Sequence, residues 1–62
     1  MTNQQKAEIY DNLIRESDFL QRTNSKLKSE YVTHIPPHIQ NQINANNKKI
    51  ADLVIKLENL LR

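Results

Sequence analysis

The side chains of this chain that could do chemistry are two histidines, a pair of neighbouring carboxylates and a set of basic residues. His34 and His38 are four residues apart, and on a continuous helix both imidazoles could bind one metal ion. Pro36 and Pro37 lie between them and break such a helix, and no cysteine or nearby carboxylate completes a ligand set. We expect two solvated loop histidines, no metal site and no cofactor.

The carboxylates do not form an acid/base pair. Glu16 and Asp18 are two residues apart and point in different directions on a helix. No Ser/His/Asp or Cys/His set has the arrangement that nucleophilic catalysis needs, and the absence of glycine excludes a phosphate-binding loop. The sequence therefore predicts a protein that is not an enzyme and has no small-molecule substrate.

The basic residues could contact phosphates. On a helix, Arg15 and Arg22 share one outer stripe with Lys26 nearby, and Lys48 and Lys49 follow in the second half of the chain. Interleaved acidic residues dilute this stripe, and no aromatic platform for base stacking is present. Binding of RNA or DNA through these five residues is the alternative function, and a gel shift that weakens steeply with salt would identify it.

Composition limits the chain to one small domain, residues 1–62, without cysteines to staple it. The formal net charge of +2 is unevenly distributed, because residues 21–49 carry +4 and the remainder −2. No apolar run approaches the length of a membrane span, and Met1–Lys6 does not lead into a signal-peptide core. We expect a soluble intracellular protein, cytoplasmic by default, with no membrane partner.

The histidines, carboxylates and basic residues lie on or between two predicted helices. Two apolar runs, one in each half of the chain, mirror each other about the turn at Pro36 and Pro37. In both runs the spacing alternates between three and four residues, which is typical of a coiled-coil seam. If the chain folds back near Ile35, each residue of the first run meets one of the second. The seven predicted layers, here called the seam, are Tyr31–Ile39, Leu27–Ile43, Asn24–Asn46, Leu20–Ile50, Ser17–Leu53, Leu13–Leu57 and Tyr10–Leu60.

The fold class predicted is therefore all-α, an antiparallel two-helix hairpin with coiled-coil packing. Thr2 and Gln5 fit a capping box, so helix 1 is expected over about residues 3–31. A turn follows at 32–36, and helix 2 covers about 37–62 because proline is tolerated at the first helical position. Apolar residues continue to the last position without a capping signal, so the chain is expected either to fray there or to be the beginning of a longer protein.

Two asparagines interrupt the apolar seam at the same layer. A buried asparagine pair lowers the stability of a coiled coil but fixes its register, because any slip leaves an amide against hydrocarbon. We interpret Asn24 and Asn46 as such a register lock. The other interpretation is a loose, wet hinge in the middle of the hairpin.

One flank of the predicted hairpin carries apolar residues that the seam does not bury. Ile14 lies beside Val54, and Ala7 beside Leu61, near the open end of the hairpin. A second copy would cover them and give a homodimeric four-helix bundle, and a different helical protein is the other possible cover. Phe19 is the only phenylalanine and a candidate docking residue. The predicted partner interface comprises Ile14, Phe19, Val54, Ile55 and Leu61.

The function predicted is protein–protein interaction, as a small helical adaptor, a regulator or a coiled-coil subunit of a larger assembly. In length and layout the chain is similar to the plasmid-copy-number RNA-binding hairpins of the Rop type. That resemblance is one of architecture, without a residue-by-residue match, and it implies a dimeric hairpin that binds RNA through its outer helix faces. It assigns no site residue.

Overall fold

The computed structural model describes residues 1–62 and contains two helices and no strand. Helix α1 covers Asn3–Glu30 and helix α2 covers Pro37–Leu61. The helices pack against each other along their lengths in a rod of 48 × 15 × 13 Å. The predicted all-α fold class and its antiparallel hairpin are confirmed.

Local side-chain chemistry sets the helix ends. The Thr2 hydroxyl accepts a hydrogen bond from the backbone N–H of Gln5 at 3.1 Å, and the Gln5 side chain accepts one from the backbone N–H of Thr2 at 2.9 Å. This is the predicted capping box, which satisfies two of the unpaired amides of the first turn. At the other end of α1, Tyr31 leaves the helical conformation with φ −117° and ψ 60°.

The turn depends on its two prolines. Pro36 is extended, with φ −60° and ψ 151°, and its carbonyl accepts hydrogen bonds from the backbone N–H groups of Ile39 and Gln40. Pro37 then occupies the first position of α2, where its missing N–H has no helical partner to lose. The chain reverses without any residue at positive φ, so the turn needs no glycine.

The core of the hairpin is thin and lies along the predicted seam. Six residues are buried, namely Ser17, Leu20, Asn24, Ile39, Ile43 and Leu53, and all six belong to the seam. Of its fourteen members, thirteen are buried or half-buried. Tyr10 is the exception at 42% exposed, because it belongs to the last layer and α2 ends at Leu61, one residue beyond Leu60 of that layer.

The molecule is much more extended than a globule of its length. Its radius of gyration is 14.5 Å, whereas a compact domain of this length has about 11 Å. A rod of two helices leaves most side chains in solvent, so any surface that the hairpin fails to cover is long and accessible.

Candidate functional site

Three asparagine side chains form the polar centre of the seam. The Asn46 Nδ2 donates to the Asn24 Oδ1 at 3.0 Å, and the Asn24 Nδ2 donates to the Asn47 Oδ1 at 2.9 Å. Asn24 is buried, Asn46 is half-buried and Asn47 is exposed. The structure thus brings together the two predicted lock residues and adds Asn47 as a third member.

This asparagine cluster joins the two helices without any charged or catalytic group. Every buried side-chain polar atom of the molecule has a hydrogen-bond partner. Two layers along the seam, Ser17 is also satisfied, because its hydroxyl accepts from the Gln21 Nε2 at 3.2 Å. The centre of the hairpin is therefore a structural polar contact, and the role of the cluster as a register lock stays a prediction.

At the open end of the hairpin, apolar side chains from both helices line a shallow cavity of ≈ 280 Å³. Ala7 and Tyr10 contribute from α1, Leu60 and Leu61 from α2, and Lys6 lies at its rim. Ala7 and Leu61 therefore share one surface, as predicted from their positions beside the seam. This cavity is too open and too poor in polar groups to orient a reactive substrate.

Ile14 and Val54 continue this surface along the rod. Each lies seven residues from its counterpart at the open end, Ile14 from Ala7 and Val54 from Leu61, and seven residues are two helical turns that return to the same face. Ile14 is 41% exposed, Val54 43% and Leu61 73%. We call these four residues, Ala7, Ile14, Val54 and Leu61, the apolar strip.

The apolar strip ends before the middle of the rod. Two further turns along the same flank, the residues are Gln21 and Asn47, and nearer the turn they are Lys28 and Gln40. Asn47 bonds across to Asn24, which shows that this flank of α2 faces α1 there. One flank of the hairpin is therefore apolar in its open half and polar in its tip half.

Two residues of the predicted partner interface lie elsewhere. Phe19 is 67% exposed, and five residues of helix place it about 140° around α1 from Ile14. Ile55 is 55% exposed and lies about 100° around α2 from Val54, on the outer side of the rod. The structure therefore brings Ile14, Val54 and Leu61 onto one flank and separates Phe19 and Ile55 from it.

The basic residues proposed for nucleic-acid binding are all exposed, and the two arginines have acidic partners. The Arg15 Nε lies 3.0 Å from the Asp11 carboxylate, and the Arg22 Nε lies 3.0 Å from that of Asp18. Both are i,i+4 pairs in water that contribute little to stability, but the two carboxylates offset the positive charge of the two arginines. Lys26, Lys48 and Lys49 form no ion pair. The nucleic-acid function stays an untested prediction.

The histidines lie apart from any ligand set. His34 and His38 are both exposed, and nowhere do three or more His, Cys, Asp or Glu side chains come together in a way that could hold a metal ion. Neither helix contains a stretch long and apolar enough to cross a bilayer.

Comparison of the chain with protein-family models, curated proteins and solved structures finds no match. We therefore infer function from the surface of the hairpin alone.

Two features of this surface were not predicted, although the sequence contains a pattern that indicates each of them. Asn47 occupies the position beside the seam, next to Asn46, from which a short amide reaches the opposite helix. The arginines lie four residues after Asp11 and Asp18, the spacing at which helical side chains pair.

Proposed function

We propose that this chain is a non-enzymatic protein–protein interaction module that pairs with a second copy of itself through the apolar strip, giving a four-helix dimer. The observation that carries the proposal is the exposure of Ile14, Val54 and Leu61 on a single flank of the hairpin. Scattered exposed hydrophobic residues are ordinary, but a contiguous apolar flank is typical of an interface.

The exposed area supports a second copy as the cover. The chain has 4986 Å² of accessible surface, and a compact monomer of its mass has about 4,200 Å². The excess is about 800 Å², which is also the area that each partner contributes to an interface of standard size. Pairing two hairpins would bury part of this excess.

The energetics favour a dimer that dissociates on dilution. Complete burial of the half-exposed Ile14 and Val54 contributes about 1 kcal/mol each, and that of Leu61 about 2 kcal/mol. Two copies gain about 8 kcal/mol before an association cost of about 4 kcal/mol or more. The surplus from these residues is about 4 kcal/mol, which corresponds to a dissociation constant of about 1 mM, and burial of neighbouring side chains would lower it.

In this dimer, the polar outer faces remain free for a target, which suits an adaptor, a regulator or a subunit of a larger assembly. The experiment compares two isoleucine-to-lysine variants on α1. Ile14 belongs to the apolar strip, and Ile9 lies on the opposite flank with nearly the same exposure, 38% against 41%. Both substitutions place a charge on a half-exposed helical position, so their intrinsic effects on the hairpin are matched.

We expect Ile14→Lys to remain monomeric in sedimentation at concentrations where the unsubstituted chain is dimeric, and Ile9→Lys to dimerise normally. Circular dichroism on the same samples reports whether either variant has lost helix. If Ile9→Lys dissociates the dimer and Ile14→Lys does not, the interface is on the other flank and the proposal is wrong. If the unsubstituted chain never dimerises, the strip belongs to a different helical protein.

A further inference from the structure

We infer that the two copies overlap only at their open ends, antiparallel and staggered, so that the two proline turns point away from each other at opposite ends of a longer rod. This inference rests on the proposed self-pairing and specifies its geometry. It follows from how apolar, amide and charged residues are distributed along the hairpin.

The apolar strip occupies only part of the available flank. It reaches from Ala7 and Leu61 at the open end to Ile14 and Val54. Beyond it, the flank carries Asn47, whose carbonyl oxygen is engaged by Asn24. The amide hydrogens of Asn47 and the Lys28 ammonium have no partner within the hairpin, and the Gln21 amide bonds only to Ser17 of its own helix.

A full-length antiparallel overlap mismatches these halves. It would place the apolar strip of each copy against the polar tip half of the other, removing water from Gln21, Lys28 and Asn47 without supplying partners. The attraction between a basic tip and an acidic open end favours that arrangement, but exposed charges are screened at physiological salt and contribute little.

A parallel overlap matches the apolar halves but brings like charges together. The tip half carries Arg22, Lys26, Lys28, Lys48 and Lys49 against the single acidic residue Glu30. Two such tips side by side would lie within about 10 Å, the distance between packed helices, which is close to the screening length of the solvent.

The staggered antiparallel overlap satisfies both requirements. Consider a two-fold axis perpendicular to the long axis of the rod, midway along it between Ala7 and Ile14. This axis places Ile14 opposite Ala7 of the partner subunit. The same axis places Val54 opposite Leu61 of the partner subunit, because residues 7 and 61 lie at one level of the hairpin and residues 14 and 54 at the next. The apolar strips then cover each other, and both basic tips and both asparagine clusters remain in water.

The three arrangements differ greatly in the distance between the two tips. An overlap from the open end to the Ser17–Leu53 layer is about 20 Å long at 1.5 Å per residue. In two rods of 48 Å, it separates the tips by about 75 Å. Full antiparallel overlap separates them by about 48 Å, and parallel overlap by about 10–20 Å.

Spin labels can be attached at single chosen positions to measure this distance, because they react with cysteine and the chain contains none. Val32 is in the turn and 81% exposed, so Val32→Cys places a label at the tip away from the strip. Arg62→Cys places a second label at the open end, in a separate sample. Electron–electron dipolar spectroscopy then reports the two distances at a protein concentration where the mass is that of a dimer.

We expect a long distance, about 75 Å, between the labels at residue 32 and a short one, about 20 Å, between the labels at residue 62. Two similar distances near the length of one rod would establish full antiparallel overlap and overturn the inference. Two short distances would establish parallel packing and would also overturn it. In each of those cases self-pairing still holds. A monomeric mass in the same samples would instead contradict the proposed function.

Discussion

At the residue scale, the register-lock interpretation assigns the specificity of the hairpin to Asn24 more than to any other side chain. It is buried at 5% exposure, and it bonds to Asn46 through its oxygen and to Asn47 through its nitrogen. A shift of either helix by one layer would bring this amide against Ile43 or Ile50, without a partner. The burial of these amides also lowers the stability of the hairpin, because they lose their contacts with water. Hydrophobic residues in this layer would pack without that cost.

The register-lock interpretation predicts opposite effects for one substitution and for two. Asn24→Leu alone leaves Asn46 without its partner and lowers stability by about 1–3 kcal/mol, which in a chain of this size is about 4–8 °C of melting temperature per kcal/mol. Asn24→Leu with Asn46→Leu is expected to melt higher than the unsubstituted chain but to populate more than one oligomeric state. Thermal denaturation and light scattering on the same samples measure both effects.

The matched control is Asn41→Leu, because Asn41 is exposed on α2 and outside the cluster. It corrects for the gain in helix propensity when leucine replaces asparagine. A double variant that melts lower and keeps a single oligomeric state would contradict the register lock and favour a hydrated hinge.

At the scale of the elements, the alternation of three and four residues predicts a partner for each seam residue. The asparagine bond between positions 24 and 46 shows that this register is the one formed. The helix ends were predictable from Thr2, Gln5 and the prolines, because caps and fixed φ angles are local chemistry. The separation of Phe19 and Ile55 from the apolar strip was also predictable, because it follows from 100° of rotation per helical residue. The exposed fraction of each side chain was harder to predict, because it depends on the angle at which the helices roll against each other.

The packing of α2 against α1 predicts that substitution of two isoleucines on α2 by alanine lowers stability by very different amounts. Ile43 is 1% exposed in the seam, whereas Ile55 is 55% exposed on the outer side. Ile43→Ala is expected to lose about 2–5 kcal/mol, because it removes three buried carbon atoms from the best-covered position of the seam. Ile55→Ala is expected to change stability by less than about 0.5 kcal/mol.

Chemical denaturation followed by helical circular dichroism, at one protein concentration for all variants, separates these outcomes. Equal losses at the two positions would mean that the outer side of α2 is covered by something other than solvent. The hairpin interface described here would then be incomplete.

At the scale of the whole molecule, the chain is a thin rod with too much surface for its mass. Only six of its 62 residues are buried, and an isolated two-helix hairpin is of marginal stability in water. The apolar strip is confined to the open half, and the excess positive charge to the tip half. Folding and pairing are therefore expected to be coupled, with both helicity and mass increasing with concentration.

The most direct test of this account is the solution mass of the unsubstituted chain, by light scattering over about 10 μM to 1 mM, with circular dichroism on each sample. The account predicts a helical species that rises to twice 7.3 kDa as concentration increases. A chain that remains at 7.3 kDa throughout this range would contradict self-pairing, whether it is helical or not.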